Sequence, residues 1–378
     1  MDSLFSFYLA CMPVLQEIID CLEKVAPPQL QEDYDNSGLL CGDNRMEITG
    51  ALLTLDCTED VIKEAVELGF NLVIAHHPIV FKGIKRLTGA NYVERTLMLA
   101  VRHNIAIYAC HTNLDNVIGG VNGKIADKLQ LSQRRVLRPL QNHLIKLVTY
   151  VPSAHDAMVM QALFNAGAGT IGNYDECSFR SLGTGTFRAG KEANPFIGKV
   201  NERETIEEVR LEVILPAHKQ QEVLSALKLS HPYEEVAYDL MALENSWSGA
   251  GSGLIGELPE PVEETAFLRE ICKIFGISTL KHTKLTQKHI KKVAICGGSG
   301  SFLIKDAIRA GADLYITSDI KYHEFFDVEG KMLLLDIGHF ESEQFTPEIF
   351  YTIITEKFST FAIRLSKTAT NPVNYFIA

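Results

Sequence analysis

The sequence predicts an α/β protein: a duplicated, two-lobed α/β core interrupted by an inserted α+β domain of ferredoxin-like order. Three observations predict it. Apolar strand-like runs alternate with amphipathic helices in the outer parts of the chain, one such unit occurs twice, and the middle follows a βαββαβ order. The expected divisions are 1–134 for the first lobe, 135–250 for the insert and 251–378 for the second lobe.

The first lobe opens with helical periodicity at Val14, Ile18 and Leu22. Ala51 to Asp56 is a short apolar strand, and Thr58 is a good N-cap for the helix that follows. Glu59 and Asp60 favour the positive end of that helix, whose stripe is Ile62, Ala65, Val66 and Leu68. Gly69 ends it, and Leu72 to Ala75 is the next buried strand. The same unit returns near the C-terminus: Val61 to His77 (VIKEAVELGFNLVIAHH) aligns without a gap on Leu303 to Asp319 (LIKDAIRAGADLYITSD). Any βαβ unit has the apolar pattern, but shared lysine, acid, alanine and glycine positions point to an internal duplication.

A second echo follows each copy. IAIYACHTNLD ends an apolar strand with His111 and, four residues on, Asp115, whereas MLLLDIGHFESE ends another with His339 and Glu343. The carboxyl ends of strands are where chemistry collects in α/β sheets. Between the copies, LIKLVTYVP leads into a helix from Ala154 and then a glycine-rich strand pair, Thr170 to Gly190. EVRLEVILP leads into a second helix from Ala217, AYDLMAL closes the module, and Glu244 to Gly256 reads as the return linker.

Composition limits the function classes. The net charge is −11 and the densest basic run is Lys281 to Lys292, so nucleic acid is not an expected partner. The apolar run Leu4 to Met12 is too short to span a bilayer and lacks a basic n-region, and Met12 could be the natural start. A soluble, cytoplasmic protein is expected, without membrane partners. The eight cysteines form no CxxC pair, which fits a reducing compartment and argues against disulfides or a cysteine zinc site.

His76-His77-Pro78 follows a buried strand directly; Pro78 keeps His77 extended, so both rings can line one pocket, or both can cap loop backbone instead. Asp115 has a bland alternative as N-cap of the helix striped by Val121, Ile125 and Leu129. Thr346-Pro347 supplies a cap and first-turn proline for the last helix. Convergence at strand ends favours metal ligation by N and O donors, suiting zinc, manganese or iron. Five or six such donors exceed one catalytic ion, and two ions about 3.5–4 Å apart would use them. Gly297 to Ser301 (GGSGS) resembles a phosphate cradle but lacks the Walker lysine, and packing is its alternative. Asp319, Lys321, Tyr322 and His323 occupy the duplicate of the His76-His77 position, as orienting groups or a structural cluster.

The stretches DNSGLLCGD, AHHPIVFKGI, HTNLDNVIGGVN, TSDIKYHE, DIGHFESE and TNPVNYF resemble the Nif-three-like family, often labelled GTP cyclohydrolase I type 2 homolog, from about Pro13 to the end. The resemblance implies a two-lobed core whose ligands to two divalent ions, zinc first with iron or manganese as alternatives, fall on His76, His77, Asp115, His339 and Glu343. It implies a PII-like insert, matched by HPYEEVAYD, and a toroidal homohexamer. Tyr34 departs from the Trp common before Asp-Asn. The resulting expectation is a metal-dependent hydrolase of a nucleotide or other phosphorylated small molecule, with His111 or His323 as acid/base. A metal-binding regulatory scaffold without turnover, its insert sensing a small molecule, is the alternative.

Overall fold

The computed structural model describes residues 12–376, so the apolar run from Leu4, the question of a start at Met12, and Cys11 lie outside the described residues, apart from Met12 itself. The chain divides into two compact units, one up to Arg138 and resuming at Ala250, the other Pro139–Gly249.

The first unit holds two sheets. One runs Gly38–Cys41, Ala106–Ala109, Leu72–His77, Ala51–Asp56, Ile363–Leu365. The other runs Lys281–His282, Leu333–Asp336, Leu314–Ser318, His289–Ser299, Trp247–Glu263, Ser132–Leu140. In each, an antiparallel edge strand is followed by three parallel strands in the same topological order. The duplication is therefore present in topology as well as in sequence. The sheets differ at the next strand, which is parallel in the first (Ile363–Leu365) and antiparallel in the second (Trp247–Glu263).

Period-two alternation explains why these strands are apolar throughout. Leu53, Ile74 and Tyr108 of the first sheet share one core with Ile295, Ile316 and Leu335 of the second. Their neighbours Leu52, Val73 and Ile107 face outward onto Val61, Ile62 and Leu97. Ala294, Tyr315 and Leu334 likewise pack on Leu303, Ile304 and Ala307. Burying both faces leaves only the strand ends free for polar chemistry.

The helix Glu59–Leu68 begins as its residues dictate, with Thr58 Oγ1 accepting from the Val61 amide. Gly69 (φ 70°) and its aligned partner Gly311 (φ 71°) both adopt the left-handed conformation that stops a helix. The second copy has a shorter helix, Ile304–Arg309, after a single 3-10 turn Ser301–Leu303.

The Pro139–Gly249 unit is a four-stranded antiparallel sheet in the order Ser178–Arg188, Arg203–Pro216, Leu144–Pro152, Tyr238–Leu243. Helices Asp156–Asn165 and Gln220–Ser230 cover one face, where Val159, Leu163, Val223 and Leu227 meet Leu211, Val213 and Leu215.

Three local expectations are corrected. Thr170 to Gly190 holds one strand rather than two, because Ile171 and Tyr174 close a tight turn and Ser178–Arg188 takes Arg203–Pro216 as its partner. The expected linker Glu244 to Gly256 is mostly strand, since Leu254 to Glu257 pair with Lys292 to Ile295. Thr346 is the first residue of its helix and Phe345 the cap; the Thr346 hydroxyl donates instead to the Glu343 carbonyl at 2.7 Å. Among the described residues, no helix is long and apolar enough to cross a membrane.

Candidate metal centre

His76 and His77 are the last two residues of strand Leu72–His77, and both rings nonetheless turn toward one cluster, their centroids 4.9 Å apart. A strand would send them to opposite faces. At its end, Glu343 reaches both, from a short helix, His339–Glu343, that follows strand Leu333–Asp336 of the other sheet. The structure thus brings His76, His77, His111, Asp115, His339 and Glu343 together from both halves of the duplication.

Each imidazole is held at Nδ1, which leaves Nε2 aimed inward. His76 Nδ1 donates to the Cys110 carbonyl (2.8 Å). His77 Nδ1 lies 2.7 Å from Asp56 Oδ1, His111 Nδ1 2.8 Å from Asp35 Oδ1, and His339 Nδ1 2.6 Å from Asp319 Oδ2. Partners of this kind fix the tautomer and orientation of metal-binding histidines. The sequence singles out Asp319 as an orienting group but not Asp35 or Asp56. Asp35 lies in the DNSG segment and Asp56 ends a strand, and neither has a sequence spacing to its histidine that could reveal the contact.

The centre of the cluster is electrostatically unfinished. His76 Nε2 is fully buried and, among the described residues, without a hydrogen-bond partner, and so is Asp115 Oδ1. They face each other at 3.6 Å, with Glu343 Oε1 3.8 Å from His76 Nε2. These separations are too long for hydrogen bonds, and an unmatched buried polar atom costs about 1–3 kcal/mol. Burial pushes His76 down to about 4, so its ring is neutral, as a ligand must be. A few ångströms away, His77 Nε2 donates to Glu343 Oε2 at 2.9 Å, and His339 Nε2 lies within ion-pair distance of the same oxygen at 3.1 Å. The two Nε2 atoms are 3.3 Å apart.

Burial would lower His77, but Asp56 and Glu343 outweigh it and raise it to about 9. His339 is raised to about 11, as Asp319 and Glu343 overcome its burial. Glu343 is buried, yet His77 and His339 in contact with it, and His76 nearby, hold it well below the carboxylate range. Asp115 is pushed the other way by burial and by the charge of Glu343. Two imidazolium groups crowded on one oxygen, beside an orphaned nitrogen and carboxylate, form the donor set that a divalent cation would complete. These His, Asp and Glu groups can hold a metal ion.

Asp115 does not cap the next helix: Val121–Lys128 has Gly120 at its cap without a side-chain bond. His323 stands apart from the cluster; it is exposed on the 3-10 segment Tyr322–Val328 and packs on Tyr322 (5.2 Å). His111 is the other acid/base candidate, and its ring lies 5.2 Å from His76 and 5.4 Å from His77.

Gly297 to Ser301 is not a phosphate cradle. The Gly297 amide donates to Asn122 Oδ1 and the Gly298 amide to Ser342 Oγ, each at 2.9 Å, and the following helix has six residues. The glycines serve packing: a Cβ on Gly298 (φ 62°) would collide with Glu343 Oε1.

The cluster opens onto a cavity of about 700 Å³ whose walls include Tyr34, Phe81, Tyr92 and Phe302. Among the described residues, no lysine or arginine lines it. An adjoining recess shares Ile79, Phe81 and Tyr92 and adds Lys82, Lys85 and Arg86.

Comparison with known proteins agrees with this architecture. A family model described as Duf34/NIF3 (NGG1p interacting factor 3) matches residues 13–372. A Halalkalibacterium halodurans protein named GTP cyclohydrolase 1 type 2 homolog is 41% identical over 327 residues, 86% of this chain and 88% of its own length. A Bacillus subtilis protein of the same name is 36% identical over 369 residues, 95% and 98% of the two chains. The crystal structure of a Bacillus cereus protein related to NIF3 superposes with a TM-score of 0.83 at 34% identity, covering 97% of this chain and all of that one.

Proposed function

The chain belongs to the Duf34/NIF3 family, and from that premise we propose that it is a metal-dependent hydrolase of a phosphorylated, ring-bearing small molecule such as a nucleotide. The observation that carries this reading is the buried pair His76 Nε2 and Asp115 Oδ1, unpartnered among the described residues and beside Glu343, with Asp115 and Glu343 lining an open cavity. A closed structural site would have no such cavity in front of it. Six donors in three overlapping groups exceed the need of one ion, so we assign two, held by His76, His77, Asp115, His339 and Glu343. Zinc is the first candidate, and iron or manganese suit the same N/O donors; burial raises the thiol of Cys296, which also lines the cavity, and so disfavours a thiolate ligand there.

When bound, such ions supply Lewis acidity that polarises a reacting oxygen and acidifies water. The chain's own groups do the rest. Asp35 holds His111 by Nδ1, so Nε2 is the atom that takes up or returns a proton. Asp35 itself stays ionised: although it is buried, His111, Thr112 and the Asn36 amide hold it well below the carboxylate range. Aromatic walls at Tyr34, Phe81, Tyr92 and Phe302 suit a planar group. The lack of a lysine or arginine at the floor directs an anionic group outward, toward Lys82, Lys85 and Arg86. The βαββαβ unit is read as a PII-like insert on the strength of its strand order.

The test is a screen of metal-loaded protein against nucleotides and phosphoesters. Turnover abolished by His76→Ala and Glu343→Ala supports the proposal; turnover indifferent to both would belong to a contaminant.

A further inference from the structure

The Pro139–Gly249 unit contains a cavity of its own, about 610 Å³. It lies on the sheet face away from the two helices: Leu211 and Val213 point into the helix-covered core, and the alternating positions Glu208 and Arg210 line the cavity. Its walls are aromatic. The Tyr233 ring lies 6.0 Å from Phe187 and 6.5 Å from Phe196, and Tyr150 lines the same space.

These rings share the cavity with a carboxylate. Tyr233 donates its hydroxyl to Glu208 Oε1 at 3.1 Å. On the neighbouring strand Gly185 admits the other oxygen, Oε2, into the place that a Cβ would take. Glycine inside a strand sacrifices stability, and a close approach by another group is one reason it is kept. The cavity is held in shape from outside. His231 Nε2 donates to the Tyr150 carbonyl (3.0 Å) while its Nδ1 accepts from the Tyr233 amide (3.1 Å), which pins Tyr233. Glu234 Oε1 accepts from the Asn194 amide at 2.9 Å and ties down the segment bearing Pro195 and Phe196. Two arginines also line the cavity: Arg210 pairs with Glu212 at 2.9 Å, and Arg188 stands against the three lining carboxylates Glu208, Glu234 and Glu235, which leave the lining net negative.

A carboxylate beside aromatic faces attracts an organic cation, through the negative ring faces and through direct charge pairing. We propose that this cavity binds a small organic ammonium ion, its charge set against Glu208 and the rings of Tyr233, Phe187 and Phe196. The site is independent of the metal cluster and shares no residue with it.

Choline and its uncharged isostere 3,3-dimethylbutan-1-ol, each offered to the full chain, separate charge recognition from apolar filling; butylammonium in parallel distinguishes a methylated from a primary head. Saturation-transfer NMR should show contact with an ammonium probe and not with the neutral one, and calorimetry should show a loss of about tenfold on Glu208→Gln. Phe196→Ala, an exposed ring whose removal does not threaten folding, should weaken the same probe while leaving metal content unchanged. Equal binding of choline and its isostere, no binding of either ammonium, or affinity indifferent to both substitutions would overturn the proposal.

Discussion

The two halves of the duplication meet at one cluster and contribute to it differently. In the first copy the strand ends in His76 and His77; in the second, the aligned residues are Ser318 and Asp319. The first copy supplies two inward-facing nitrogens, whereas Asp319, in a left-handed conformation (φ 57°), steadies His339 from behind. The short helices that follow also diverge. Asp115 and Glu343 stand at matching positions, yet burial beside another carboxylate raises one and three imidazoles lower the other. Shared topology fixes where the groups arrive; the local neighbours decide which carry charge.

That asymmetry predicts unequal responses. Glu343→Gln removes the charge that touches three histidines and should abolish retained metal in elemental analysis. Asp115→Asn should weaken retention less, because among the described residues only His76 faces that carboxylate within ion-pair distance. Equal losses would erase the distinction.

Gly298→Ala tests the same carboxylate through the backbone. The added Cβ meets Glu343 Oε1 at a residue already in the left-handed region, so metal should be lost with the secondary structure intact by circular dichroism. Gly311→Ala has the strain without the collision and should cost only about 1–2 kcal/mol in denaturant unfolding, with metal retained.

Acidity offers the next contrast. With no cation, His77 at about 9 and His339 at about 11 carry protons at pH 7 that a metal must displace, whereas His76 at about 4 carries none. Metal uptake should therefore acidify a weakly buffered solution, and affinity should rise from pH 6 to 9. The stability linked to His77 is fully present below its unfolded value near 6.5 and is lost as pH rises through about 9. Metal-free protein should accordingly lose a few degrees of Tm across that window, and metal-loaded protein should not. A metal-free Tm that rises there would contradict the assignment.

The orienting carboxylates give the smallest effects. Asp319→Asn should reduce metal affinity by roughly 10–100-fold. Asp35→Asn, acting on His111, should leave metal content near normal and lower turnover. If Asp35→Asn empties the site instead, His111 is a ligand and not the proton carrier.

Much of this was legible in sequence because parallel strands buried on both faces are continuous apolar runs, and the repeat marked equivalent strand ends. His76, His77, His111, Asp115, His339 and Glu343 stand out that way, and the family resemblance is what narrows the ligands to five of them, without His111. Asp35 and Asp56 could not, since an acid 76 residues from His111, or 21 from His77, is paired with it only by the fold. The Gly297 to Ser301 turn misled for a related reason: glycine that admits Glu343 looks the same as glycine that admits phosphate. At the return from the insert, the glycines of Glu244 to Gly256 resemble a linker, because pairing with Lys292 to Ile295 rather than side-chain type makes the stretch strand.

The most direct test of the central claim, that both halves complete one metal centre, is elemental analysis of protein stripped of metal, reloaded with zinc and desalted, beside Glu343→Gln treated identically. The account predicts near-stoichiometric zinc retained by the unsubstituted protein and a background level in the variant. Equal zinc in the two, or none in either, would contradict it.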